Sequence, residues 1–114
     1  MKQSYKIKFT HSSRNDMRQM KKYILTNFKY RELVENFSKK MKEATKQLKI
    51  VPKGFDKVGM KYGGYDIYLK PYRTYLFFYI VDELTRTVTV IRVMHDGMDW
   101  KWILNMWLHY SKTV

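Results

Sequence analysis

The sequence predicts an α+β domain: a pair of N-terminal helices packed on a small β-sheet, closed by a short C-terminal helix. Three observations carry that expectation. Tyr5, Ile7 and Phe9 alternate with Lys6, Lys8 and Thr10, which is the period of a half-buried strand. From Met17 to Lys49 the apolar residues recur at helical spacing. Tyr75–Val81 and Thr87–Met94 are strand-length runs joined by a short polar turn, Asp82 to Arg86.

Taken in order, Thr10 to Ser13 supplies capping hydroxyls after the first strand, and Asp16 lies where a carboxylate suits the dipole of a helix start. Met17, Met20, Ile24 and Phe28 form the apolar stripe of that helix, with Arg14, Arg18, Lys22 and Lys29 on a neighbouring face. A second helix is expected from about Tyr30 to Lys49. Its stripe is Leu33, Phe37, Met41, Ala44 and Leu48, and Lys39, Lys42, Lys46 and Lys49 lie opposite. With almost no loop between them, the two helices should form an antiparallel hairpin packed on the sheet.

Pro52, Gly54, Gly59, Gly63 and Gly64 break the pattern, so residues 51–64 read as a loop with a short extended piece near Val58 to Tyr62. Tyr65–Leu69 is a strand whose pairing Pro71 should limit. The aromatic run from Tyr75 suits a central strand buried on both faces, and the β-branched run from Thr87 suits its neighbour. Asp96-Gly97 turns the chain, and Asp99 precedes a last helix. There Trp100, Ile103, Leu104, Trp107 and Leu108 match one helical face, while Trp102 and Met106 fall on the other. A helix apolar on two faces either carries a second layer or meets another protein.

At 114 residues the chain supports one domain, 1–114, with a modest core. Apolar residues at 45% and aromatics at 17% exclude a disordered chain. Lys plus Arg number 23 against 10 Asp plus Glu, a net charge of +13. Such a field attracts polyanions, of which nucleic acid and the ribosome are the commonest, or an acidic protein partner. Residues 1–53 hold 15 basic and 4 acidic side chains, and residues 54–114 hold 8 and 6. The polyanion-facing surface is therefore expected on the N-terminal half, with Arg18, Lys22, Lys39, Lys42, Lys46 and Lys49 as its candidates.

The absence of cysteine excludes disulfides, thiol catalysis and Cys-ligated zinc. His11, His95 and His109 are too scattered for a metal site, so no metal and no cofactor is expected. No apolar run spans a membrane and no signal-peptide core precedes the first strand, so a cytoplasmic location is expected.

Phe9-Thr10 with Asp16-Met17, Met20 and Tyr23-Ile24, then Leu48, Pro52 and Gly54, then Tyr75 to Asp82, and finally Val90 to Trp100 resemble, in order and spacing, the RelE/ParE superfamily. These are the toxins of bacterial type II toxin–antitoxin modules. The resemblance spans nearly the whole chain and implies a small twisted antiparallel sheet carrying the helical hairpin. It also implies a cognate antitoxin that silences the protein; Trp102 and Met106 are the candidate contacts. RelE-type members cleave mRNA in the ribosomal A site, whereas ParE-type members inhibit DNA gyrase.

Ribonuclease chemistry needs proton transfer to and from the reacting oxygens and cations around the phosphate. His95 has the right kind of side chain for the first role, and Arg73 and Arg92 for the second. Tyr75, Tyr79 and Trp100 could stack a base. The structural alternatives are a turn residue for His95, a surface ion pair for Arg73 and an acidic neighbour for Arg92. Strand parity puts Arg92 and His95 on opposite faces unless the strand ends or twists between them. The chain also departs from the nuclease pattern. Leu76 stands where an arginine usually follows the strand's first tyrosine, and Asp96, Gly97 and Met98 stand where some nucleases cluster arginines. Basicity favours ribosome-dependent mRNA cleavage; the Arg-Val-Met-His and Asp-Trp pattern favours the ParE-like alternative.

Overall fold

The alternation of apolar and polar residues along four of the strands leaves each needing cover on at least one face, and the computed structural model shows how it is met. It describes residues 4–28 and 30–111. The order is β1 (Lys6–Phe9), α1 (His11–Phe28), α2 (Arg31–Ile50), a 3-10 turn at Pro52–Gly54, β2 (Asp56–Tyr62), β3 (Tyr65–Tyr72), β4 (Tyr75–Asp82), β5 (Thr87–His95) and α3 (Trp100–Ser111).

The five strands form one sheet in the order β1-β5-β4-β3-β2. Strands β2 to β5 pair antiparallel as expected, while β1 lies parallel to β5, Phe9 opposite Val90. The sheet is therefore mixed. Turns between neighbouring strands dictate antiparallel pairing; β1 reaches its partner across some 80 residues, so no local turn sets its direction.

Strand β4 is central and covered on both sides. Tyr75, Phe77, Tyr79 and Val81 join the core beneath the hairpin, with Phe37, Met41, Ala44 and Leu48 of α2. Leu76, Phe78 and Ile80 join a second core beneath α3, with Leu104 and Leu108. Met17, Met20 and Ile24 of α1 pack against the first core, whereas Phe28 and Leu33, expected in the stripes, are exposed where the hairpin turns.

Residues 56–62, expected mostly as loop, form a full edge strand. The glycines mark irregularities within a hairpin: Gly59 has φ +83° where the pairing register shifts, and Gly63 and Gly64 make its two-residue turn with φ +57° and +87°. Both central residues of such a turn need positive φ, which glycine supplies at least cost. At the other end of the sheet, Thr10 Oγ1 accepts the Ser13 N–H at 3.1 Å, capping α1, and donates to the Ile91 carbonyl at 2.8 Å. One hydroxyl thus ends β1, starts α1 and ties both to β5. Among the described residues no helix is long and apolar enough to cross a membrane.

Candidate functional site

Strand β5 continues past the end of β1, and that overhang is where the predicted site residues fall. The register against β4 shifts at Ile91, which has no opposite residue, so Val90 and Val93 both face the hairpin core while Ile91 and Met94 face the α3 core. Arg92 pairs with Phe78 and starts from the α3 side; His95 pairs with Tyr75 and starts from the hairpin side. The two residues leave opposite faces of the strand.

Arg92 curls around the free edge. Its Nε and Nη2 donate to the two carboxylate oxygens of Asp16 at 2.8 and 2.9 Å, and its guanidinium lies 5.3 Å from the Trp107 ring centroid. Asp16 Oδ2 also accepts the Val93 N–H at 2.9 Å. Asp16 therefore belongs to the second turn of α1, pairing with the strand edge rather than complementing the helix dipole. The side chains are 16% and 13% exposed, so the pair is largely withdrawn from solvent.

His95 is exposed. Its ring lies edge-on to Tyr75, 5.1 Å between centroids, and its Nδ1 is 3.9 Å from Asp96 Oδ1. Arg73 occupies the β3–β4 turn at φ +55°, with its guanidinium 5.8 Å from the Tyr72 ring. The Asp96 N–H donates to the Thr74 carbonyl at 2.9 Å, so Arg73 and His95 share one end of the sheet. Arg92 is not joined to them by any polar contact among the described residues.

The aromatic expectations are corrected by burial. Tyr79 is fully buried, and its hydroxyl donates to the Pro52 carbonyl; burial pushes its pKa well above the usual tyrosine value. Tyr75 is buried between Phe37 and His95, and burial raises its pKa too. Trp100 packs on Phe78. Tyr75 and Tyr79 therefore offer no free face for a base, whereas Trp100 stays partly exposed. Leu76 is buried in the α3 core.

Beside the overhang runs a groove of about 690 Å³ between α1 and the end of β5. Met20, Tyr23 and Ile24 form one wall, Tyr75, His95 and Met98 the other, and the Asp16–Arg92 pair lines part of it. Apolar side chains dominate the lining, which suits a protein segment better than a phosphodiester.

The basic candidates are spread over the hairpin. Arg18 and Lys22 are exposed on α1 and Lys39, Lys42, Lys46 and Lys49 on α2; Lys29 lies outside the described residues. Lys42, Lys46 and Lys49 line a shallow hollow with Ser4 and Ile50, away from His95. On α3, Trp102 is 62% exposed and Met106 half-buried, on the far side of the sheet from the hairpin. Sequence reasoning missed Asp16 as the partner of Arg92 and Trp107 as its ring. An acidic neighbour was expected for Arg92, but the alternation within β5 gave no sign of which one, since Asp16 lies 76 positions away.

The family model for the ParE toxin of the type II toxin–antitoxin system parDE matches residues 7–100, ending as α3 begins. No curated protein sequence matches. A chain of the chromosomal ParDE system of P. aeruginosa superposes with TM-score 0.63 at 12% identity, covering 81% of this chain and 96% of that one. A chain of the RelBE2 toxin–antitoxin complex of Mycobacterium tuberculosis gives 0.56 at 20% identity, with 81% and 98% covered. One from the archaeal RelE–RelB complex of Pyrococcus horikoshii OT3 gives 0.54 at 14% identity, with 82% and 97% covered. At these identities the superpositions speak for the fold, and the family match over most of the chain speaks for descent: the chain belongs to the ParE toxin family of type II toxin–antitoxin systems.

Proposed function

We propose that this toxin arrests growth by binding protein, as a non-enzymatic inhibitor of DNA gyrase in the ParE manner, and that a cognate antitoxin silences it. One observation carries the reading. The arginine best placed beside His95 in sequence has its guanidinium committed to Asp16 by two hydrogen bonds and is largely buried. A phosphate would have to displace a carboxylate already held bidentately, which a charge-assisted pair resists. The groove beside His95 supports the same reading, because its lining is mostly apolar. The expectation of ribosome-dependent cleavage, which rested on basicity, then gives way to a binding role for that charge.

The antitoxin is the partner we assign to the outer face of α3. Trp102 is exposed there and Met106 half-buried, four residues further on, so that both point to one side of the helix. The similar chains from ParDE and RelBE systems support an antitoxin partner of this kind.

Two assays on the purified protein test the target. The reading expects loss of gyrase supercoiling, with accumulation of cleaved gyrase–DNA complexes, and intact mRNA on programmed ribosomes. Truncated mRNA with unimpaired supercoiling would overturn it. In that event His95→Ala should cost about 10²–10⁴-fold in single-turnover cleavage, the range for general acid–base catalysis, and His95→Gln should not restore it.

A further inference from the structure

Strand β3 carries, on its hairpin side, an amine that neither the target contact nor the α3 face uses. Tyr68, Lys70 and Tyr72 alternate along the strand, and Tyr68 and Tyr72 pack in the core beneath the hairpin. Lys70 belongs to the same face and is 3% exposed. Its Nζ lies 4.6 Å from the Phe55 ring centroid and 5.2 Å from that of Tyr72. Among the described residues it makes no ion pair and no hydrogen bond. The nearby carboxylates are engaged elsewhere: Glu43 accepts from the Tyr72 hydroxyl, and Asp66 holds Lys57 and Lys61.

Two ring faces stabilise an ammonium less than water does, so the charged form is held at a cost. Burial lowers the pKa of this amine from the ordinary lysine value, which raises the share of molecules carrying a free lone pair near neutral pH. The Nζ is not among the side-chain nitrogens closed off from solvent, so a small reagent can reach that lone pair. The Tyr72 ring is shared with Arg73, whose guanidinium lies 5.8 Å from its centroid. Arg73 is exposed, makes no ion pair, and sits at φ +55°, a conformation that a side-chain-bearing residue rarely adopts. A free amine and a guanidinium flanking one ring suit a small molecule with an electrophilic carbonyl at one end and an anion at the other.

We propose that Lys70 is an acylation site for small acyl phosphates, with Arg73 holding the phosphate. The Nζ lone pair attacks the carbonyl carbon, and the new N–C bond forms as the bond from that carbon to the phosphate oxygen breaks. Phosphate leaves with the electron pair and takes the proton that the amine gives up. The products are an amide at Lys70 and hydrogenphosphate, with nothing oxidised or reduced. The amide is neutral, so the reaction removes the poorly solvated charge. Two properties of the whole chain favour this class of reagent. The +13 field draws in small anions, and a chain without cysteine has no thiol to compete for the acyl group. The site stands independently of the toxin's target.

The test treats the whole protein with acetyl phosphate near neutral pH, and separately with acetic anhydride, a neutral acetyl donor. Peptide mapping by mass spectrometry gives the rate at each lysine while few are modified. Lys39, exposed on α2, and Lys101, exposed but over the Trp100 ring, are the internal references. With acetyl phosphate Lys70 should react at least about fivefold faster than either, because only its amine is kept from full solvation. In denaturing urea that preference should vanish. Arg73→Gln should slow the reaction of Lys70 with acetyl phosphate about two- to fivefold, the worth of one exposed charge pair, and leave its reaction with acetic anhydride unchanged. If Lys70 reacts no faster than the references in the folded protein, burial shields it and the proposal is overturned. A preference that survives in urea would also overturn it, since the fold would then not be its cause. An Arg73→Gln variant that slows both reagents alike, or neither, would overturn the choice of acyl phosphates.

Discussion

Arg92 on β5 and Asp16 on α1 join the hairpin layer to the sheet edge through two hydrogen bonds of 2.8 and 2.9 Å, while Trp107 of α3 lies 5.3 Å from the same guanidinium. One side chain thus touches all three layers of the molecule. Breaking one partner of a largely buried pair leaves an uncompensated charge, so Asp16→Ala should cost about 2–4 kcal/mol of unfolding free energy. Asp16→Ala also strands the Val93 N–H, whereas Arg92→Met leaves Asp16 its backbone donor. Arg92→Met should therefore cost less than Asp16→Ala in urea denaturation. Equal costs would show that the backbone bond contributes nothing.

Tyr79 offers a separate measure of the core. Its buried hydroxyl donates to the Pro52 carbonyl and holds the turn after α2 against the sheet. Tyr79→Phe keeps the ring and leaves the carbonyl without this donor, which should cost about 1–3 kcal/mol. Thermal unfolding followed by circular dichroism measures it, and a change within error would mean that water replaces the hydroxyl.

Among the described residues Lys70 is the one buried lysine, 3% exposed, with its ammonium 4.6 Å from the Phe55 ring centroid and 5.2 Å from that of Tyr72. Burial lowers its pKa from the ordinary lysine value. The unfolded chain then binds more protons at this site than the folded one, between the lowered folded pKa and the ordinary value. This group's contribution to stability therefore rises with pH across that window, and below it the folded state carries the full cost of a desolvated charge. Two aromatic faces offset part of that cost. Lys70→Met should stabilise the protein at neutral pH by on the order of 1 kcal/mol, and its advantage should shrink as pH rises. A gap between variant and wild type that is constant with pH would show that Lys70 does not titrate differently on folding.

The two faces of α3 predict opposite consequences for two tryptophans. Trp107 stacks on Tyr62, 5.5 Å between centroids and 4° between planes, and supports Arg92, so Trp107→Ala should cost about 3 kcal/mol or more. Trp102 is 62% exposed, and Trp102→Ala should stay within about 0.5 kcal/mol of wild type. Combined with Met106→Ala it should weaken the antitoxin complex at least about tenfold if the outer stripe is the contact we assign. Unchanged affinity in calorimetric titration would leave that stripe without its partner.

Element types were legible in the sequence because each rests on local chemistry. Three helices and four of the five strands follow from apolar period, and the two-sided burial of β4 follows from its unbroken run Tyr75–Val81. The acidic neighbour of Arg92 was legible as a type of contact, though not as Asp16. Membership of the toxin family was legible from the order of weak motifs. What only the tertiary structure decided involves residues far apart in the chain. The parallel β1–β5 pair, the Asp16–Arg92 bond, and the burial of Tyr75 and Tyr79 that removes them as stacking surfaces all belong here. Periodicity reports which face of an element is apolar. It carries no term for which distant side chain arrives to pair with a charge, because that is fixed by the packing of whole layers.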